Sequence, residues 1–215
     1  MSSTLFILDP GHGDFVDGVN HSKQGKYSPK FEDGTRFYEG HNNRDNVKRI
    51  IEHFDNIKLD CVDITGGSIL DVPLASRVSL ANKLGKNRQS LYISMHSNAL
   101  GNGEEWYAAK GISVHTSPGQ TKSDIFASIL IDELEKEYGN SVQWRKDLTD
   151  GDKDIENKFY VLTETSMPAV LIEAGFHTNK EEVRRMMTDE WKIKLINGIT
   201  NACLKWDELA ASHAG

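Results

Sequence analysis

Apolar positions in this chain fall into two patterns that take turns along it. Short unbroken runs, Leu5-Phe6-Ile7-Leu8, Ser90 to His96 and Ala169 to Phe176, read as strands buried on both faces. Lys58 to Ile64 alternates polar and apolar as a further strand, and Gly111 to Thr116 reads as another. Between them lie stretches of helical period. Val47, Ile50, Ile51 and Phe54 mark a helix from Glu39 to Phe54, and a second runs from Leu74 to Leu84 after Pro73. Ile125, Ile129, Leu130 and Leu134 form the expected core stripe of a helix from Thr121 to Tyr138. Trp191, Leu195, Ile199, Ala202 and Trp206 do the same for Glu190 to Leu209.

Strand and helix alternate throughout, which predicts a single α/β domain, a largely parallel mixed sheet with helices on both faces. Ligands of such sheets sit beyond the carboxyl ends of the strands. The domain is expected over residues 1–209, with a short tail at 210–215 and no separate second module. Asp14 to Phe37, broken by Gly18, Gly25, Pro29 and Gly34, reads as a long irregular loop. Residues 140–158 carry no clear period, Phe159 to Leu162 reads as a short strand or turn, and Glu181 to Arg185 reads as a solvated helix face.

Composition narrows the picture. A chain of 215 residues with 38% hydrophobic and 27% charged positions suits one domain with a sizeable core. A net charge of −7 argues against nucleic acid as the main partner, because phosphate binding needs clustered Lys and Arg. No apolar run reaches membrane-spanning length and no leader pattern opens the chain, so the expectation is synthesis in the cytoplasm without membrane insertion. Cys61 and Cys203 sit on a strand-like run and a helical stripe and are read as buried free thiols.

The chemistry is carried by what ends the strands. His12 lies between two glycines after the first apolar run, His96 closes the second, and Glu173 follows five apolar residues in the third. In a parallel sheet these ends share one edge. Glu39 opens the first helix, where the helix N-terminus favours a carboxylate. Two histidines, one carboxylate and an open fourth position suit catalytic zinc, and a second carboxylate suits the proton transfers of carbonyl hydrolysis. A carboxylate after an apolar run is costly unless it is paired or used, which favours Glu173 for that second role.

Leu8-Asp9-Pro10-Gly11-His12-Gly13, Glu39 at a helix start, Ser94-Met95-His96-Ser97-Asn98-Ala99 and Pro168 to Phe176 followed by Thr178-Asn179 resemble the zinc-dependent N-acetylmuramoyl-L-alanine amidases of the Amidase_3 type. The resemblance runs from about Thr4 to Trp206. It implies one Zn2+ on His12, Glu39 and His96, Glu173 as catalytic acid/base, and hydrolysis in peptidoglycan of the amide between N-acetylmuramic acid and L-alanine. Two features depart from the family pattern. The segment between His12 and Glu39 is longer, and Gly40-His41-Asn42 follows Glu39 where a lysine is frequent; Glu32, Asp33 and His41 are therefore the rival ligands.

Asn98, Trp106, His115 and His177 are the candidate substrate-lining residues, with Trp106 read as a wall of a glycan or peptide groove. His21, His41, His53 and His213 are read as solvated, and Trp144, Trp191 and Trp206 as packing residues. The expected setting is phage-induced host lysis by a monomeric endolysin acting on the cell wall after release. Two other readings remain open: a zinc peptidase cutting the stem or cross-bridge peptide, and a catalytically silent peptidoglycan-binding module.

Overall fold

In the computed structural model, which describes residues 2–23 and 25–212, six strands form one sheet in the order β4-β1-β5-β8-β6-β7. These are β1 (Leu5–Pro10), β4 (Asp60–Asp63), β5 (Ser90–Asn98), β6 (Ile112–Thr116), β7 (Ile155–Glu156) and β8 (Ala169–Phe176). Each pairing is parallel except β6 against β8. The mixed, largely parallel α/β architecture expected from the alternation is therefore present. Its helices are α1 (Glu39–Ile57), α2 (Leu74–Gly85), α3 (Lys122–Tyr138), α4 (Tyr160–Thr163), α5 (Lys180–Met186) and α6 (Asp189–Ser212). No helix among the described residues is long and apolar enough to cross a membrane.

The pleat divides each strand between two cores. Phe6, Leu8, Leu91, Ile93, Met95, Val170 and Ile172 join α1, α3 and α6 in the larger core, which also takes Trp191, Cys203 and Trp206. Leu5, Ile7, Tyr92, Ala169 and Leu171 point the other way, toward Val78 and Ala81 of α2 and Val161 and Leu162 of α4. A one-residue slip in register would exchange these sets, so burial on both faces fixes the pairing. Cys203 is buried, Cys61 is half-buried, and both are free.

Several local expectations need correction. Phe159 to Leu162 is not a strand: Tyr160–Thr163 forms one turn of helix that packs Val161 and Leu162 into the smaller core. In α3 the expected stripe holds at Leu130 and Leu134, with Ile129 packed against the core, but Ile125 is exposed, while Phe126, Ala127 and Ile131 are buried. The segment 181–185 is not wholly solvated. Glu182 is buried and accepts backbone N–H bonds from Gly111 at 2.8 Å and Phe176 at 2.7 Å, tying α5 to the sheet.

The long loop is mostly irregular but contains a minimal antiparallel pair, β2 (Phe15–Val16) and β3 (Val19–Asn20), and a bridge between Tyr27 and Tyr38. His213 and the end of the expected tail lie outside the described residues, whereas residues 210–212 continue α6.

Candidate metal centre and cleft

At the carboxyl ends of β1 and β5, His12, His96 and Glu39 converge. His12 Nε2 lies 3.4 Å from Glu39 Oε1, and His96 Nδ1 lies 3.1 Å from the same oxygen. The two imidazoles meet edge to face with centroids 4.8 Å apart. Their ligand atoms all lie within 4.8 Å of one another.

Local sequence explains the convergence. The strand ends at Pro10, and His12 takes a left-handed backbone conformation (φ 66°) that turns its ring back over the sheet edge. Gly11 is required beside it, because a Cβ there would overlap the His96 ring. Glu39 is the first residue of α1 and is 1% exposed; at the next position Gly40 lies so close to the Gly13 carbonyl that any side chain would collide with it. The helix therefore enters flush against the His12 loop, and its first carboxylate is delivered between the two histidines.

Glu39 Oε1 also accepts the Ser97 backbone N–H at 3.1 Å. Glu39 Oε2 and His12 Nε2 are buried with no hydrogen-bond partner. Orphaned lone pairs of this kind are costly in a folded protein and are what a metal ion satisfies. Nitrogen and carboxylate donors in this combination suit zinc. The rival residues point elsewhere: Glu32 pairs with Lys180, Asp33 accepts from Thr35 Oγ1 at 2.7 Å, and His41 Nδ1 meets Asp14 at 2.8 Å.

The charges of the group are set by mutual contact. Burial opposes the charge on Glu39, but His12, His96 and His177 hold its carboxyl well below the ordinary value. Burial lowers the pKa of His12 despite Glu39. Burial would also lower that of His96, yet Glu39, Glu173 and Asp9 together keep it raised. Glu173 sits directly across the β5–β8 pairing from His96, with one carboxylate oxygen buried and unpartnered. Burial pushes its carboxyl up to about 7, with Glu39 adding to the rise and His96 opposing it. An acid poised there can both take and give a proton near neutral pH.

Glu39, His96 and Glu173 line a cleft of about 540 Å³ whose walls include Lys26, Asn98, Asn102 and His177. His177 is buried, with Nε2 3.2 Å from the Gly25 carbonyl and Nδ1 3.0 Å from that of Ser97. Lys26 Nζ lies 3.9 Å from Glu39 Oε2. Sequence reading missed Lys26, since one lysine in a loop without periodicity carries no signal of its neighbours.

The other two candidates stand apart from the cleft lining. Trp106 packs its ring on Phe31 at 5.1 Å, closing the long loop onto the body of the protein. His115 is buried along β6, bonded to Ser113 at 3.0 Å and Asn157 at 2.9 Å, and burial lowers its pKa to about 4.

The family model of N-acetylmuramoyl-L-alanine amidases, Amidase_3, matches residues 6–205. The chain belongs to the Amidase_3 family. Among relatives of this amidase family, an uncharacterised cell wall amidase of Bacillus anthracis is 26% identical over 97% of this chain. The match takes in 36% of that relative, so the chain spans about a third of its length. The N-acetylmuramoyl-L-alanine amidase of Clostridium difficile 630 shares the fold with a TM-score of 0.73 at 24% identity, covering 96% of this chain and 97% of its own. Ami1 of Mycobacterium smegmatis, another amidase, gives 0.71 at 18% identity over 95% and 98%.

Proposed function

We propose that this chain is a zinc-dependent N-acetylmuramoyl-L-alanine amidase that cleaves the amide between N-acetylmuramic acid and L-alanine in peptidoglycan. The observation that carries the reading is the pair of orphaned buried atoms, His12 Nε2 and Glu39 Oε2, in a His-Glu-His group of which Glu39 and His96 line the same cleft as Glu173. Membership of the family supplies the bond.

His12, Glu39 and His96 would hold the zinc, which when bound polarises the scissile carbonyl and activates water. The chain's own groups do the rest. Glu173 takes a proton from the attacking water and returns it to the leaving amine of L-alanine, a double duty suited to a carboxyl near 7. Ser97 holds Glu39 through its backbone N–H, so the ligand carboxylate keeps its place during turnover. Lys26 and Asn98, in the cleft wall, are placed to meet polar groups of the stem peptide. The apolar strands beneath the site keep water away from its floor.

We extend this reading to lysis of a bacterial host at the end of phage infection, since opening this amide frees stem peptides from the glycan and removes the cross-links that bear turgor.

The test measures metal content and product together. Purified protein is expected to carry one zinc per chain and to release L-alanine amino termini from purified walls, with loss on chelation and return on zinc addition. A different new amino terminus would establish a peptidase instead. Neither zinc nor hydrolysis would leave only a binding module.

A further inference from the structure

A second group of carboxylates lies far from the cleft. β6 runs antiparallel to β8, so its end at Thr116 reaches the sheet edge opposite His96 and Glu173. There Asp124, in the first turn of α3, meets Asp152 and Asp154 from the loop that leads into β7. One carboxylate oxygen from each lies within 4.8 Å of the others.

The three side chains share an arrangement. Asp154 Oδ2 accepts the Thr116 hydroxyl, Asp124 Oδ2 accepts the Thr121 backbone N–H, and Asp152 Oδ2 accepts Gln120 Nε2 at 3.3 Å. The Oδ1 atoms of all three are buried and have no hydrogen-bond partner. Asp154 is 1% exposed and Asp124 6% exposed, so bulk solvent does not reach the orphaned oxygens. Lys153, between two of the acids in sequence, turns away to Asp132 at 2.5 Å and Glu135 at 3.0 Å. Each carboxylate is thus oriented through one oxygen and left unsatisfied through the other, as metal ligands held by an outer shell are.

We propose that Asp124, Asp152 and Asp154 bind a calcium ion at the sheet edge opposite the cleft. Three carboxylates with no nitrogen or sulfur donor suit a hard cation. Two of the ligands come from a loop, where backbone carbonyls and water can complete the six to eight oxygens calcium takes. Magnesium demands a near-ideal octahedron and keeps its waters, which a site with two buried ligands serves less well. Without a cation the acids oppose one another: burial, with Asp152 and Asp124 beside it, pushes the Asp154 carboxyl up to about 7. The ion removes that conflict and pins the loop before β7, a strand of two residues, to the start of α3.

The experiment uses zinc-loaded protein freed of loosely held hard cations by gel filtration into buffer itself cleared of calcium and magnesium beforehand, titrated calorimetrically with CaCl2 and, separately, MgCl2 at neutral pH. Calcium is expected to bind with one ion per chain and to raise Tm by about 4 °C or more at saturation. Asp152→Asn, at the more exposed ligand, and Asp154→Asn are each expected to weaken binding by about tenfold or more and to remove the rise in Tm. Because Asp152 is only half-buried, its variant tests the site even where Asp154→Asn folds poorly. Three results overturn the proposal: no binding and no change in Tm at about 10 mM CaCl2, well above the weakest dedicated calcium sites; calcium binding unchanged in both variants; or tighter binding of magnesium than calcium. The first would leave Asp152 and Asp154 as a pair sharing a proton.

Discussion

The imidazole of His96 rests on the bare backbone of Gly11, in space that a Cβ at position 11 would fill. The contact comes from the parallel pairing of β1 and β5, which sets Pro10 opposite Met95 and lets the Gly11 N–H bond to the Met95 carbonyl at 3.0 Å. It makes the glycine of the His12 turn a support for the other histidine. Gly11→Ala is expected to tilt His96 away from Glu39, weaken zinc binding by about 10- to 100-fold and cost about 1–3 kcal/mol of stability. Zinc titration and thermal melting check both. Unchanged zinc affinity would show that the ring is oriented from elsewhere.

Glu173 differs from the three clustered residues because it reaches none of them by hydrogen bond and keeps an unpartnered oxygen toward the cleft. Glu173→Gln is expected to retain a full equivalent of zinc while losing about 100- to 10,000-fold in kcat, the usual scale for a removed general base. Turnover near the parent rate would exclude Glu173 from proton transfer.

Lys26 brings a cation to the cleft wall from the long loop, 3.9 Å from Glu39 Oε2. Its ammonium is partly exposed and so is placed to meet a carboxylate of the substrate. Lys26→Met is expected to raise KM for soluble muropeptides by about tenfold or less, in keeping with one partly exposed ionic contact, with zinc content intact. A fall in kcat at constant KM would move Lys26 from substrate recognition to the reaction itself.

Asp9 and Arg77 form a fully buried ion pair beneath the site, and Ser94 Oγ donates to the second Asp9 oxygen at 2.7 Å. Burial opposes the charge on Asp9, but Arg77, His96 and Ser94 hold its carboxyl below the ordinary value. A depressed acid contributes stability that is present above its unfolded pKa, near 4, and is lost as the pH falls through the folded value. Arg77→Met is expected to cost about 3–5 kcal/mol at pH 7, because it strands a buried carboxylate, and less at pH 3. Urea denaturation at the two pH values reads the difference.

The raised acids act in the opposite sense. Asp154 and Glu173 both sit near 7, so the stability they contribute is complete below about 4, where both folded and unfolded forms are protonated, and is lost as the pH rises through 7. Protein without added metal is expected to melt highest on the acid side of neutrality. Asp154→Asn should raise Tm at pH 8 in calcium-free buffer and leave it nearly unchanged at pH 4. A melting curve with the same pH dependence as the parent would mean that Asp154 is not strained by charge.

Much of the fold was legible because burial on both faces leaves its mark on consecutive residues. The runs ending at His12, His96 and Glu173 became β1, β5 and β8, and the helix starting at Glu39 begins there in the structure. Errors in element assignment fell where the local pattern was weak. The short turn Tyr160–Thr163 and the half-buried α5 are too brief for a period to declare itself, and Glu182 is buried only because two backbone N–H groups from other elements await it.

The sequence alone determined the alternation of strand and helix, the α/β class and the three strand ends that carry His12, His96 and Glu173, since these depend on side-chain type and spacing within one element. Tertiary structure decided which acid stands between the histidines, that Trp106 closes on Phe31, that Lys26 enters the cleft, and that three aspartates meet at the far edge. Each of these joins residues from separate elements, and their distances follow from strand register and helix entry, which no single stretch of chain encodes.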